Sequence, residues 1–482
     1  MQRIIKTAIL LFWFVMLGLL IHRSYIKPSS VIALDVITEE GVHAGDEWFG
    51  IYQQDRKIGY AHTRIIQEGA TYHLIDESEL DIRVLDNVQR VRTVINSYAS
   101  KNFLLQYFDF TLQSPQSSMK IKGFVDKQHL ILDIMTGGQT RTERIKLNEA
   151  PYLSPNLKPA LVLRGLSPGR TYRFSVFNPV TMSSEDAFIT VEGKESIKVG
   201  DQEMPVYKLK ESYQGMETTS WLSEEGETIK EESPLGYKLL RESPSEAVKL
   251  DKRGPSVDIL AMTMIPSDHI KESSRTTYLK AGIKGVSLQG FDLEGGRQSL
   301  KGSIIEVRVL PGDASYSLPF SEQKFAAFLA PTTLIQSDDP AIRKQAASIL
   351  GKERDPSLAA KKLNEWVYEN LQKKPVISIP SAVEVLKQKV GDCNEHTALY
   401  TALARSAGIP TRMAAGIVYM KNGFYYHAWP EVWLGTWFAV DPTFNQFPAD
   451  ATHIRFVSGS LDRQTEIMRL VGKLRIEVTE YR

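Results

Sequence analysis

The chain has 482 residues, a formal net charge of +1, 42% apolar residues and 24% charged ones. That length exceeds one ordinary core, so two or three domains are expected, and the composition is globular rather than disordered. The balanced charge, with no Lys/Arg stripe interleaved with aromatics, excludes a nucleic-acid binder; a single cysteine, Cys393, excludes an intrachain disulfide.

Arg3 and Lys6 precede an apolar run at residues 8–21, and His22, Arg23 and Lys27 follow it. The run is short for a spanning helix and nearer a signal segment, but Ile4 and Ile5 extend it and Lys6 can snorkel. Val31-Ile32-Ala33 fits a small-residue cleavage site, yet lies well past the run. Residues 1–27 are therefore expected to be an uncleaved anchor in the inner membrane, a single N-terminal helix with everything after it periplasmic or extracellular. Residues 28–46, opened by Pro28-Ser29-Ser30, read as a linker.

From residue 47 to about 250 the chain reads as β. Strand-like runs at 48–53 and 58–66 flank Asp55-Arg56-Lys57, and others follow at 91–98, 104–112, 119–125, 130–134 and 140–145. Later ones are expected at 171–177, 187–192, 206–209 and 218–222. A spacing of about ten residues with turn residues between argues an antiparallel meander. In pattern it is similar to the long curved sheets of periplasmic lipid- or lipoprotein-handling domains. His62, His73 and His129 lack metal-ligand spacing and read as ordinary strand residues. Two further β runs, 277–286 and 303–310, form a small region within 251–330.

The period then changes. Asp339-Pro340 and Asp355-Pro356 are N-cap signals for two helices, the first ended by Gly351. In the second, Leu363, Trp366, Val367 and Leu371 share one face, which makes Trp366 a core residue. Residues 381–389 read as a short helix. Asp392 then caps a helix from Cys393 to Ala407 that Gly408 stops. Cys393 thus sits in a first turn, where free N–H groups and the helix dipole favour thiolate and can hold an oxyanion. Next come a strand at 412–420, a hairpin signal at Asn422-Gly423, a strand at 424–434 with His427 on it, and a strand at 437–440 ending at Asp441-Pro442-Thr443.

Gly391-Asp392-Cys393-Asn394-Glu395-His396, Ala407-Gly408-Ile409-Pro410-Thr411-Arg412, His427-Ala428-Trp429 with Glu431-Val432, Val440-Asp441-Pro442-Thr443 and Ala451-Thr452-His453-Ile454 occur in that order. On these stretches residues 331–457 resemble the bacterial transglutaminase-like superfamily. The resemblance implies a papain-related fold with the nucleophile on a helix and the His and Asp on adjacent strands. It implies Cys393 as nucleophile, His427 as base and Asp441 as the group that orients the base. His396 is assigned a supporting or packing role, and Trp429 walls the acyl pocket or packs. Glu395 and Asn394 match the motif without assigned chemistry.

The whole chain is therefore expected to be α+β: an N-terminal membrane helix, an antiparallel β-rich domain over 47–250, a small β region over 251–330, and a papain-like transglutaminase-like α+β domain over 331–482. The expected function is thiol acyl transfer at amide bonds of a protein or peptide, by hydrolysis or cross-linking, outside the cytoplasm. The alternative is a non-catalytic periplasmic scaffold or binding protein with a vestigial site. No cofactor is implied; no close-set group of metal ligands and no acidic calcium loop stands out.

Two details are open to test. A two-residue turn Gly435-Thr436 would put His427 and Asp441 on opposite faces, whereas a three-residue loop, Leu434-Gly435-Thr436, pairs Trp433 with Trp437 and restores one face. The three-residue loop or a bulge is expected. The Cys393 thiol is expected below its ordinary pKa through the helix N-terminus and the His427 charge, with Asp392 opposing.

Overall fold

The computed structural model describes residues 31–32 and 45–482, except 86, 116, 137, 252–257, 259–261, 313, 380, 460–462 and 465. The apolar run at residues 8–21, with the anchor expected there, lies outside the described residues. Among those described, no helix is long and apolar enough to cross a membrane.

The α+β expectation is overturned. The chain is 48% strand and 19% helical, a mostly β protein built around one large antiparallel sheet. The difference lies in strands that alternation misses. Thr71–Val84 runs 14 residues through Asp76, Glu77, Glu79, Asp81 and Arg83 and fully buries only Tyr72, Leu74 and Val84. Thr228–Glu232, Tyr237–Arg241, Gln298–Lys301 and Arg475–Tyr481 are also short or charged. Period-two reading needs one dry face, and these strands are partly wet on both.

Among the described residues the large sheet has fifteen strands. Two antiparallel meanders join where Tyr237 pairs with Gln53 and Arg241 with Phe49. Both pack on the short helix Leu157–Leu163. Its Leu157 and Leu161 share a core with Tyr72, Leu74 and Phe103 from one meander and with Tyr172, Ile189 and Leu209 from the other. Each such buried side chain is worth about 1.5–3 kcal/mol.

A second core of the sheet, containing Phe108, Ile121 and Leu132, takes in Leu334 and Ile379 from the C-terminal part. Polar contacts flank that joint. The Gln89 side chain donates to the Pro375 carbonyl and accepts from the Ile377 N–H, and Arg141 pairs with Asp338 at 2.6 Å.

In the C-terminal part, α1 (Pro340–Leu350), α2 (Pro356–Asn370), α3 (Ala382–Gln388) and α4 (Cys393–Ser406) precede β1 (Thr411–Met420), β2 (Gly423–Trp433), β3 (Trp437–Ala439) and β4 (Ile454–Ser458). Asp339 and Asp355 cap α1 and α2 through their side chains. α4 is buried on nearly every side, from Glu395 through Ala404, which is how a central helix looks rather than an amphipathic one. Trp366 is only partly buried, at the edge of that core. The strands Tyr278–Lys284 and Ile304–Arg308 form a four-stranded sheet with Gln298–Lys301 and the C-terminal Arg475–Tyr481. Their Leu279 and Ile305 share a core with Ile417 and Phe456.

Candidate active site

α4 begins at Cys393 because its entry is doubly capped. Asp392 Oδ1 accepts the Asn394 N–H at 3.0 Å, and Glu395 Oε2 accepts the Asp392 N–H at 2.9 Å. This capping box satisfies first-turn donors that would otherwise be orphaned. It gives Glu395 a structural task that the sequence left unassigned. Glu395 also accepts from the Ser378 hydroxyl, and burial, then the Asp392 charge, pushes its carboxyl well above the ordinary range. His396 Nδ1 lies 2.6 Å from the Asp392 carbonyl, and burial pushes its pKa down. It supports the helix entry, as expected.

The hairpin that carries His427 has the three-residue loop. Trp433 pairs with Trp437 and Glu431 with Ala439, and the Leu434 N–H donates to Thr436 O at 2.9 Å. Gly435 adopts a φ of 78°, a left-handed conformation that a side chain would strain. The register puts Asp441 on the face of His427, and His427 Nε2 lies 2.8 Å from Asp441 Oδ2. On the other side of β2, Gly416 pairs with His427, and a Cβ at Gly416 would meet the Ile454 carbonyl at 2.0 Å. The missing side chain lets β4 close on β1 and brings His453 to the site.

His453 is the residue that sequence reasoning missed. Its Nε2 lies 3.0 Å from the same Asp441 Oδ2, and its Nδ1 lies 3.3 Å from Asp450 Oδ1. Asp441 Oδ1 accepts the N–H groups of Thr443 and Phe444 at 2.7 and 3.2 Å. Asp441 is fully buried with four donors around it. Burial opposes its charge, but the His427 and His453 interactions outweigh it and hold the carboxyl well below the usual carboxylate range. Burial likewise opposes charge on His453, yet Asp450, then Asp441, holds its pKa up at about 9. Asp450 is lowered by the same pairing, again against burial. A faint signal was present in sequence: Asp450 and His453 stand three apart, nine and twelve residues beyond Asp441.

The expectation of no close-set ligand group is corrected. His427, Asp441 and His453 bring ligand atoms within 4.8 Å of one another. Both imidazoles face the same carboxylate oxygen, at 2.8 and 3.0 Å, the spacing of two hydrogen bonds onto one acceptor.

Cys393 is half-buried. Its thiol is not lowered, contrary to expectation. Burial pushes it well above its ordinary pKa, Asp392 adds to the rise although its carboxylate is turned to cap the helix, and only a hydrogen bond from the Ala428 main chain works the other way. The resting group is a neutral thiol held beside the residue that follows His427. Trp429 is buried among Ala414, Ala439 and Ala449, edge-on to His453 at 5.1 Å, and packs rather than walling a pocket. A cavity of about 20 Å³ is lined by Leu334, Asn394, Thr397, Met413, Ala428 and Gln464, among others.

The hairpin is locked by buried charge. Glu431 accepts from Arg412 Nε at 2.8 Å and from Arg455 Nη1 at 3.1 Å, tying β2 to β1 and β4.

Residues 343–442 match the transglutaminase-like superfamily, so the chain carries a transglutaminase-like domain there. No curated protein matches the chain. Among solved structures, it is similar to a candidate cysteine protease from Cytophaga hutchinsonii (17% identity, 43% of this chain and 86% of that one, TM-score 0.28). It is also similar to a β-barrel-like protein of a domain of unknown function from Brucella abortus (8%, 42% and 96%, TM-score 0.33). A third likeness is to a candidate protease from Parabacteroides distasonis ATCC 8503 (10%, 56% and 69%, TM-score 0.20). At such scores none bears on what this chain does.

Proposed function

We propose that the chain is a thiol acyl-transfer enzyme acting on amide bonds of a protein or peptide, with Cys393 as nucleophile, His427 as base and Asp441 as its orienter. The observation that carries this reading is the 2.8 Å contact between His427 Nε2 and Asp441 Oδ2, on a strand whose next residue, Ala428, hydrogen-bonds the Cys393 sulfur. Asp441 engages Nε2, which leaves Nδ1 to accept the thiol proton. Because the thiol rests neutral, His427 takes that proton as sulfur attacks the amide carbonyl, rather than from a preformed ion pair. The first-turn N–H of Cys393 has no partner within its helix and suits the developing oxyanion. His427 then gives the proton to the leaving amine or ammonia, and water or a second amine releases the acyl group.

A second reading, a non-catalytic scaffold with a vestigial site, is favoured by one feature. The cavity that Asn394 and Ala428 line is only about 20 Å³, so a peptide needs the surroundings to open. Mass spectrometry of glutamine peptides incubated with the full chain, with and without a primary amine, separates the cases. Amine incorporation marks a transferase; deamidation or backbone cleavage marks a hydrolase. No change, or a change that Cys393→Ala retains, sinks the enzyme reading.

The place of action is proposed from sequence alone. The apolar run at residues 8–21, followed by a large domain that translocates largely regardless of flanking charge, is the ground for an inner-membrane location with the thiol outside the cytoplasm. Fractionation and protease access in spheroplasts test it, and a soluble cytoplasmic chain refutes it.

A further inference from the structure

His453 takes no part in the steps above and lies beyond the matched residues 343–442. We propose that His453 is a positioning residue of the same site, a cationic clamp that fixes the Asp441 carboxylate toward His427 and offsets its negative charge. The inference rests on the acyl-transfer reading and gives it a further working part.

The geometry carries it. Both ring nitrogens of His453 face acceptors: Nε2 faces Asp441 Oδ2 at 3.0 Å, and Nδ1 faces the Asp450 carbonyl and Oδ1 at 3.2 and 3.3 Å. A neutral imidazole has one donor and would leave one of these contacts as a lone pair against an oxygen; the doubly protonated ring satisfies both. The ring is fully buried, so water cannot substitute for either partner. Its high pKa agrees with that assignment.

The clamp is itself held. Asp450 Oδ1 accepts from the Thr452 N–H at 2.8 Å and from its hydroxyl at 2.6 Å, and Asp450 Oδ2 accepts from Gln446 Nε2 at 2.8 Å. The Gln446 and Asp441 main chains exchange two hydrogen bonds of 2.9 Å, and the Arg297 guanidinium binds the carbonyls of Ala449 and Asp450. A chain of fixed groups therefore runs from Asp450 through His453 and Asp441 to His427.

Offsetting charge matters because a base must also release its proton. The buried Asp441 carboxylate is a negative charge beside the reacting groups, and its field acts on every proton transfer there. A cation centred 5.7 Å from the His427 ring moderates that field and also favours thiolate at Cys393.

The test needs no substrate. Cys393 is the only cysteine, so iodoacetamide reports on it alone. Alkylation rates against pH are measured for the full chain and for H453Q, with melting temperatures beside them. Gln keeps an N–H donor for Asp441 and removes the charge. The expected result is an alkylation limb displaced to higher pH by roughly half to one unit. A merely structural role predicts a lower melting temperature and an unmoved limb, and that result overturns the proposal. The native protein labelled with ¹⁵N-histidine gives a second reading that survives a variant that does not fold. One imidazole should stay doubly protonated at pH 8, and its absence also overturns the proposal. H427A separates the two levels: a limb identical to the parent's refutes the acyl-transfer reading itself, whatever H453Q does.

Discussion

In the large sheet, Lys158 lies against Glu231 and near Glu47, Asp76 and Glu211. In the hairpin region, Asp441, His453 and Asp450 stand in a line of alternating charge. Burial is the largest influence in both places, and the outcomes are opposite. In the sheet, burial wins: Lys158 is pushed down, and Glu47, Asp76 and Glu211 are pushed up, each toward its neutral form. At the site, partners win: Asp441 and Asp450 are lowered and His453 is raised, each toward its charged form. The lesson is about aim. Lys158 lies among several carboxylates, whereas at the site the His453 ring points one nitrogen at each of its two carboxylates, at 3.0 and 3.3 Å. A paired buried charge is costly to break, and an underpaired one is cheap to remove.

The largest effect expected from this contrast is at Asp441. Asp441→Asn leaves one acceptor for two sets of donors, because an amide end must turn toward either the two imidazoles or the Thr443 and Phe444 N–H groups. A loss of about 3–5 kcal/mol is expected, with turnover lost as well. Urea titration measures the first. A variant within about 1 kcal/mol of the parent would put the site on the same footing as the sheet.

Glu431→Gln comes next. It leaves Arg455, 1% exposed, with a neutral amide in place of one carboxylate, while Asp292 stays 3.3 Å from its Nε. The Gln oxygen keeps one acceptor, so the expected loss is smaller, about 3 kcal/mol. Urea titration measures it, and little change would make the Arg412–Glu431–Arg455 lock incidental.

The pH dependence sharpens the comparison further. His453 has a folded pKa of about 9 against an ordinary 6.5. A raised histidine contributes stability that is full below about 6.5 and is lost as pH rises through about 9. Asp441 and Asp450, both lowered, contribute stability that is present above about 4 and lost as pH falls through their folded values. Melting temperature should therefore decline between pH 6.5 and 9, by an amount equivalent to about 2–3 kcal/mol. H453Q should flatten that decline. An equal slope in parent and variant would mean that the charge sits elsewhere.

How much of this was legible in sequence depended on whether a signal was local. The caps at Asp339, Asp355 and Asp392 are short-range, and the helices begin where those residues stand. The turn at Gly435 was legible because register is fixed by loop length and by the need for His427 and Asp441 to share a face. Thr71–Val84 was passed over because its middle is charged and only partly buried. Leu157–Leu163 was passed over because a seven-residue helix with five buried residues around Pro159 shows no clear periodicity. His453 was quoted within the family-like stretch but given no task, since nothing in a linear reading says that β4 closes on β1 over Gly416. The thiol was misjudged for a related reason. Local sequence shows the helix N-terminus, whereas the burial that outweighs it comes from the fold around it.

The smallest expected effect lies in the other region and tests the contrast from its weak side. Lys158→Met replaces an ammonium that burial already disfavours with an apolar chain of similar length. Lys158 and Glu231 each keep 21% of their side chains exposed, so solvent tempers both the penalty and the pairing. Glu47, Asp76 and Glu211 are raised above their ordinary values. Raised carboxyls favour the folded state at low pH, and that contribution is lost as pH climbs from about 4 through their folded values. Near pH 5 the raised carboxyls hold more of their protons than at higher pH and need the lysine less, so the variant should fall within about 1 kcal/mol of the parent, on either side. Toward pH 8 more of their charge must be borne without the cation, and the variant should lose stability relative to the parent. Urea titrations at the two pH values measure this. A loss near pH 5 as large as that of Asp441→Asn would erase the distinction between the regions and make the sheet's cluster as tightly paired as the site's.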